Sequence, residues 1–151
     1  MNFTRTITYK NRIILKRFLK EIPLADLNKI PEGFSNNIIW NIAHVVVTQQ
    51  LLIYKLSGLP MHVSEEMVSK YRNKTTPEGD VTQAEVDEIY DLLESLLVQT
   101  EKDIEADIFK TYNEYTVSLG TTLTNVPEAI EFNNFHEGIH LGYILALRKA
   151  I

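Results

Sequence analysis

Residues 133–140 read Asn133-Asn134-Phe135-His136-Glu137-Gly138-Ile139-His140, a polar island inside an otherwise apolar C-terminal run. Its two histidines stand four positions apart. On an α-helix that spacing separates the side chains by about 40° around the axis and about 6 Å along it, close enough for both imidazoles to reach one ion. The island also continues a helical seam, Ile130, Asn133, His136, His140, Tyr143 and Leu147, preceded by a cap at Thr124 or Asn125 and a first-turn proline, Pro127. A last helix running almost to Ile151 follows, and the search for its partners decides the fold.

Working backward, Thr82 and Glu85 form a capping-box pattern ahead of Val86, Ile89, Leu93, Leu96, Leu97 and Ile104, which predicts a long helix ending near Asp107. Ser35 is the expected cap of another helix running to Leu56, stopped by Ser57, Gly58 and Pro60; its seam is Trp40, His44, Val47, Leu51 and Tyr54. Residues 4–20 carry Ile7, Ile14, Leu15, Phe18 and Leu19 at helical spacing, with Arg5, Lys10, Arg12 and Lys16 on other faces. Two connections remain. Residues 61–79 are polar and read as a long crossover with a short helix at 65–71, while residues 24–28 hold at most one helical turn after Pro23. Residues 108–124, with Tyr112, Tyr115, Thr116 and Val117 before Gly120, read as an extended loop over the bundle end. Four long helices without a confident sheet predict an all-α bundle.

Composition agrees. A chain of 151 residues that is 44% hydrophobic and 23% charged, with 6 Gly and 5 Pro, fits one domain spanning 1–151, and no repeat or linker divides it. The absence of Cys excludes disulfides, thiolate ligands and a cysteine nucleophile, so any metal is held by nitrogen or oxygen. A net charge of −5 without a basic stripe argues against nucleic acid. No segment approaches the roughly 20 apolar residues of a membrane span, and residues 1–20 lack the apolar core of a signal peptide, so no membrane partner and a cytoplasmic location are expected.

Three of the four histidines, His44, His136 and His140, fall on inward seams of two helices; His62 falls in the polar crossover. A lone seam histidine is ordinarily a satisfied core residue, but three on facing seams can give their lone pairs to one divalent ion and leave an open fourth position, the pattern of catalytic sites. Zn²⁺, Ni²⁺ and Fe²⁺ all suit imidazole. The stretch HEGIH also matches His-Glu-x-x-His, in which the glutamate is a general base. After Leu141 the chain holds no further His, Asp or Glu to complete such a site, so Glu137 is kept as a candidate base, an outer-sphere group or a surface residue. Tyr54, Tyr143 and Asn133 are neighbours that could orient a substrate, although tyrosines at helical spacing are more often core. The acidic clusters Glu65–Glu66, Asp87–Glu88 and 101–107 read as solvated faces, and none supplies the Glu-x-x-His pairs of a di-iron bundle.

The segments SNNIIWNIAHV (residues 35–45) and NNFHEGIHLGYILALRK (residues 133–149) resemble the two signature segments of the DinB-like, or DinB/YfiT-like, superfamily of metal-binding proteins. The resemblance rests on Trp40 with His44, and on His136 with His140, Gly142 and Ile144. It implies a four-helix bundle with up-down-down-up order and a long crossover between helices two and three. It also implies a three-histidine divalent-metal site, often a homodimer, and thiol-dependent transferase or isomerase chemistry using a low-molecular-weight thiol. Despite the family's name, nothing points to DNA.

Three functions are therefore weighed. The first is a metal-dependent enzyme, a thiol-dependent transferase or a hydrolase acting on a small molecule, whose ion lowers the pKa of a water or an external thiol. The second is a non-catalytic metal- or small-molecule-binding bundle in which the ion braces helix two against helix four. The third is a plain helical interaction protein with three core histidines.

Overall fold

The computed structural model describes residues 3–151; Met1 and Asn2, the start of the expected 1–151 unit, lie outside the described residues. The described residues are all-α apart from one small hairpin. Helix α1 spans Phe3–Glu21 and buries Thr8, Arg12, Leu15, Phe18 and Leu19 at three- and four-residue steps. Pro23 then restarts the chain as α2, Leu24–Asn28, the single turn expected there. Asn28 fastens this turn to the approach of α5: its amide donates to the Val81 carbonyl (3.1 Å), and its Oδ1 accepts from the Val81 amide (2.8 Å).

Helix α3, Ile38–Gln50, is capped by Asn37 rather than by the expected Ser35. The Asn37 Oδ1 accepts from the Trp40 amide at 2.9 Å while its Nδ2 donates to the Asn28 carbonyl at 2.9 Å. The residue that caps the helix also holds a tertiary partner, the Asn28 carbonyl. Every residue from Ile38 to Val47 is buried, so α3 is the centre of the molecule. The helix expected to run straight to Leu56 instead widens into a π-helical segment, Leu51–Lys55, and stops at Gly58, whose φ of +71° is the left-handed value glycine adopts without strain.

The crossover contains α4, Glu65–Tyr71, capped by Ser64. Thr82 caps α5, Gln83–Glu105, but only half of the predicted capping box forms. The Glu85 amide donates to the Thr82 hydroxyl, whereas the Glu85 carboxylate accepts from Lys70 and from the Tyr71 hydroxyl, tying α4 to α5. Residues 108–124 are not wholly extended loop. They contain β1 (Tyr115–Thr116) paired antiparallel with β2 (Thr122–Leu123) around Gly120. This segment covers the π-helical end, where the Tyr112 hydroxyl donates to the Leu52 carbonyl at 3.0 Å and Val117 and Leu123 join Leu52, Ile53 and Tyr54 in a second apolar cluster. Helix α6, Val126–Ala150, is capped by Asn125.

Helix α6 packs on α3 and α1, and α5 packs on the same two helices. Cross-helix partners report direction. Thr8 meets Asn134 and Arg12 meets Glu137, so α1 and α6 run the same way; Asn41 meets His140 and His44 meets His136, so α3 and α6 run oppositely. Among the described residues no helix is long and apolar enough to cross a membrane.

Candidate metal centre

The antiparallel approach of α3 and α6 brings together the three seam histidines. His44 Nε2 lies 3.2 Å from His136 Nε2, and His140 Nε2 lies 3.1 Å from the same atom. One nitrogen from each ring falls within 4.8 Å of the others, the one such group of His, Asp or Glu found among the described residues. His44 is buried and the other two are half-buried, so the cluster sits at the edge of the core, within reach of solvent.

The outer nitrogens determine which way the lone pairs point. His44 Nδ1 is 2.7 Å from the Tyr71 carbonyl, an acceptor only, so Nδ1 carries the proton. His140 Nδ1 is 2.8 Å from Asn41 Oδ1. The Asn41 amide nitrogen already donates to the Asn37 carbonyl (2.7 Å) and to Asn36 Oδ1 (2.8 Å), so its oxygen faces His140 as an acceptor. Both Nε2 atoms therefore present lone pairs, and both aim at His136 Nε2. His136 can offer at most one proton between them, and its own Nδ1 is buried without a partner. Burial also lowers all three pKa values; His136, with His140, His44 and Arg12 nearby, is pushed down to about 3 and His140 to about 4. At neutral pH the cluster is three uncharged imidazoles with lone pairs in excess of protons.

That arrangement fits a divalent cation. Tetrahedral coordination at about 2.1 Å separates ligand nitrogens by about 3.4 Å. Two of the three separations are already close to that value. The outer-sphere partners, a backbone carbonyl and a side-chain amide, are those that fix the tautomer of a metal-ligating histidine. Trp40, one turn before His44, stacks on its ring at 4.8 Å with an interplanar angle of 9°. Thr48, one turn after, places its hydroxyl 3.3 Å from His44 Nε2.

Other sequence candidates lie elsewhere. Glu137 is fully buried and faces α1, where Arg12 Nη2 donates to Oε1 at 2.7 Å, Arg12 Nε contacts both oxygens at 3.1 Å, and Asn133 Nδ2 donates to Oε1 at 2.8 Å. It is thus the most buried residue of the island, not a surface one. Arg12, expected on a face of α1 other than the apolar one, is a core residue for the same reason. Asn133 is occupied by Glu137, and the Tyr54 hydroxyl donates to Asp103 at 2.6 Å, a core role. Tyr143 meets Phe34 edge-on at 5.5 Å. His62 is exposed and lies 3.6 Å from Asp103, away from the triad. Sequence reasoning missed Asn41, Thr48 and the Tyr71 carbonyl. Asn41 and Thr48 carry a findable signal, polar residues three before and four after His44 on one helix face; the Tyr71 carbonyl carries none.

Residues 8–144 match the family model described as the DinB superfamily. None of the curated proteins compared with the chain matches it.

Proposed function

Because the chain belongs to the DinB superfamily, we propose that it is a divalent-metal-dependent enzyme acting on a small molecule, with His44, His136 and His140 as the ligands. The observation that carries this reading is the convergence of Nε2 lone pairs whose tautomers are set from behind by Tyr71 and Asn41. The finer architecture belongs to the same proposal: one domain, a four-helix bundle of α1, α3, α5 and α6 in up-down-down-up order. Parallel α1 and α6, antiparallel α3 and α6, and the long passage through α4 between α3 and α5 support it.

Bound at the triad, Zn²⁺, Ni²⁺ or Fe²⁺ would supply Lewis acidity and make a coordinated water or thiol nucleophilic near neutral pH. The chain's own part is positional. Two histidines are held as acceptors by their outer-sphere partners, Trp40 fixes the His44 ring plane, and the Thr48 hydroxyl stands beside His44 Nε2, where it can donate to a group approaching the site. A three-nitrogen protein set favours turnover over bracing, because structural sites close their shell with four protein ligands. Since the chain has no Cys, a thiol-dependent transferase would take its thiol from solution, with hydrolysis as the water-using counterpart. The location proposed is the cytoplasm. Glu137, engaged with Arg12, is assigned to the core rather than to proton transfer.

Elemental analysis of tag-free protein, with His44→Ala and His140→Ala alongside, tests the assignment. Near-stoichiometric metal, lost from both variants, supports it and opens a screen of low-molecular-weight thiols with electrophilic acceptors. Protein that stays metal-free after soaking in Zn²⁺, Ni²⁺ or Fe²⁺ refutes it.

A further inference from the structure

Helix α4 ends at Tyr71, and the partners of its last carbonyls decide how His44 is held. The final carbonyls of a helix have no acceptor role left inside it. Here the Val68 carbonyl accepts from the Arg72 amide at 2.9 Å, the Lys70 carbonyl from the Thr75 hydroxyl at 2.9 Å, and the Tyr71 carbonyl from His44 Nδ1 at 2.7 Å. The chain doubles back to reach these positions. Lys74 takes a φ of +67°, in the left-handed region, and the Asn73 side chain accepts from its amide at 2.9 Å.

That turn brings Thr75 to the edge of the Trp40 indole. Trp40 is buried, and its ring N–H lies 3.3 Å from Thr75 Oγ1. The Thr75 hydroxyl also meets two carbonyls, Lys70 at 2.9 Å and Arg72 at 2.8 Å; carbonyls only accept, so they take its proton and its lone pair faces the indole. Deleting this acceptor would leave a buried N–H unpaired. Core packing keeps a flat ring in its slot but lets it slide and turn within its own plane. A hydrogen bond at one edge removes that freedom.

Two constraints therefore reach His44 from one short segment. The Tyr71 carbonyl fixes Nδ1 but leaves the ring able to tilt about that bond. The indole, stacked at 4.8 Å with an interplanar angle of 9°, removes the tilt, and Thr75 locates the indole. The segment is fastened in turn to α5, where the Glu85 carboxylate accepts from Lys70 and from the Tyr71 hydroxyl.

We propose that Thr75 is a positioning residue for His44, acting through the Trp40 indole, so that residues 70–75 form a two-point clamp on the ring. The orientation of the ring is independent of any ion; its consequence for metal affinity rests on His44 being a ligand, as proposed above.

The test uses the full chain, with circular dichroism on every sample. Thr75→Val keeps the side-chain shape and deletes the acceptor, Thr75→Ser keeps the acceptor, and Trp40→Phe keeps a stacked ring without the N–H. In metal-free protein the stacked indole displaces the His44 ring protons upfield in the NMR spectrum. Thr75→Val should reduce that displacement, and Thr75→Ser should preserve it. Zn²⁺ affinity in chelator competition should fall about tenfold in Thr75→Val, the lower end of what the outer-sphere partners of a ligating histidine contribute. In the Trp40→Phe background Thr75→Val should cause no further fall, because the link it breaks is already gone. Unmoved His44 ring protons in Thr75→Val would overturn the inference. So would an equal loss of affinity in the Trp40→Phe background, which would show that Thr75 serves only the turn after α4. A parent protein that takes up no Zn²⁺ overturns the metal assignment instead, and the ring-proton comparison then decides the clamp by itself.

Discussion

Replacing Glu137 by Gln separates two roles for the glutamate of the HEGIH stretch. The side chains of Arg12 and Glu137 are 2% and 0% exposed, and the carboxylate receives Arg12 through three short contacts and Asn133 through a fourth. Gln at this position keeps the shape but leaves the Arg12 guanidinium buried without a counter-charge, beside an Nη1 that already lacks a partner. Breaking one side of a buried pair costs about 3–5 kcal/mol. Domains have about 5–15 kcal/mol of stability in all, so Glu137→Gln should lower the urea midpoint by a large fraction and the melting temperature by about 10 °C. The companion variant Arg12→Met/Glu137→Met removes both charges and should recover most of that loss, because an apolar pair of similar volume is often neutral or stabilising. Both variants should retain whatever divalent metal the parent protein binds, measured by elemental analysis. A Glu137→Gln protein as stable as the parent, but inactive on a substrate the parent turns over, would refute the core role and reinstate Glu137 as a base.

Further outcomes follow from the site and its supports. Asn41→Ala removes the acceptor behind His140 and should weaken metal affinity about 10–100-fold in chelator competition, with the fold intact. In the unfolded chain the triad takes up protons near pH 6.5, but in the folded chain His140 does so only near 4 and His136 near 3. The unfolded state therefore binds more protons through that window. The contribution of these groups to metal-free stability, complete above pH 6.5, should be lost as pH falls towards 3, and His136→Asn should flatten the fall in urea midpoint. Asn37→Ala deletes both the α3 cap and the bridge to the Asn28 carbonyl and should cost about 1–2 kcal/mol by urea denaturation.

Much of the secondary structure is written locally. The short helices at residues 24–28 and 65–71 and the cap at Thr82 are where proline, serine and threonine place them, since capping and φ restriction act within a few residues. Boundaries moved where a distant partner intervened. Asn37 displaced Ser35 as the cap because Asn28 holds its other end, and the Glu85 carboxylate left the Thr82 capping box because Lys70 and Tyr71 approach it from α4. The π-helical segment had no warning in the apolar periodicity.

The candidate site divides in the same way. His136 and His140 share a helix face by spacing alone, and Trp40 stacks on His44 one turn away, so the sequence by itself determined the residue types of the cluster, the pairing of two rings and the all-α class. Only the tertiary structure brought His44 across to them, and only it turned the rings, since the acceptors that set their tautomers are the Tyr71 carbonyl from α4 and the Asn41 amide from α3. It also decided that Glu137, between the two histidines in sequence, faces α1 and Arg12 rather than the histidine cluster. Helical periodicity assigns a residue to a side of its own helix; which neighbour occupies that side depends on how the helices cross, and no local spacing encodes that.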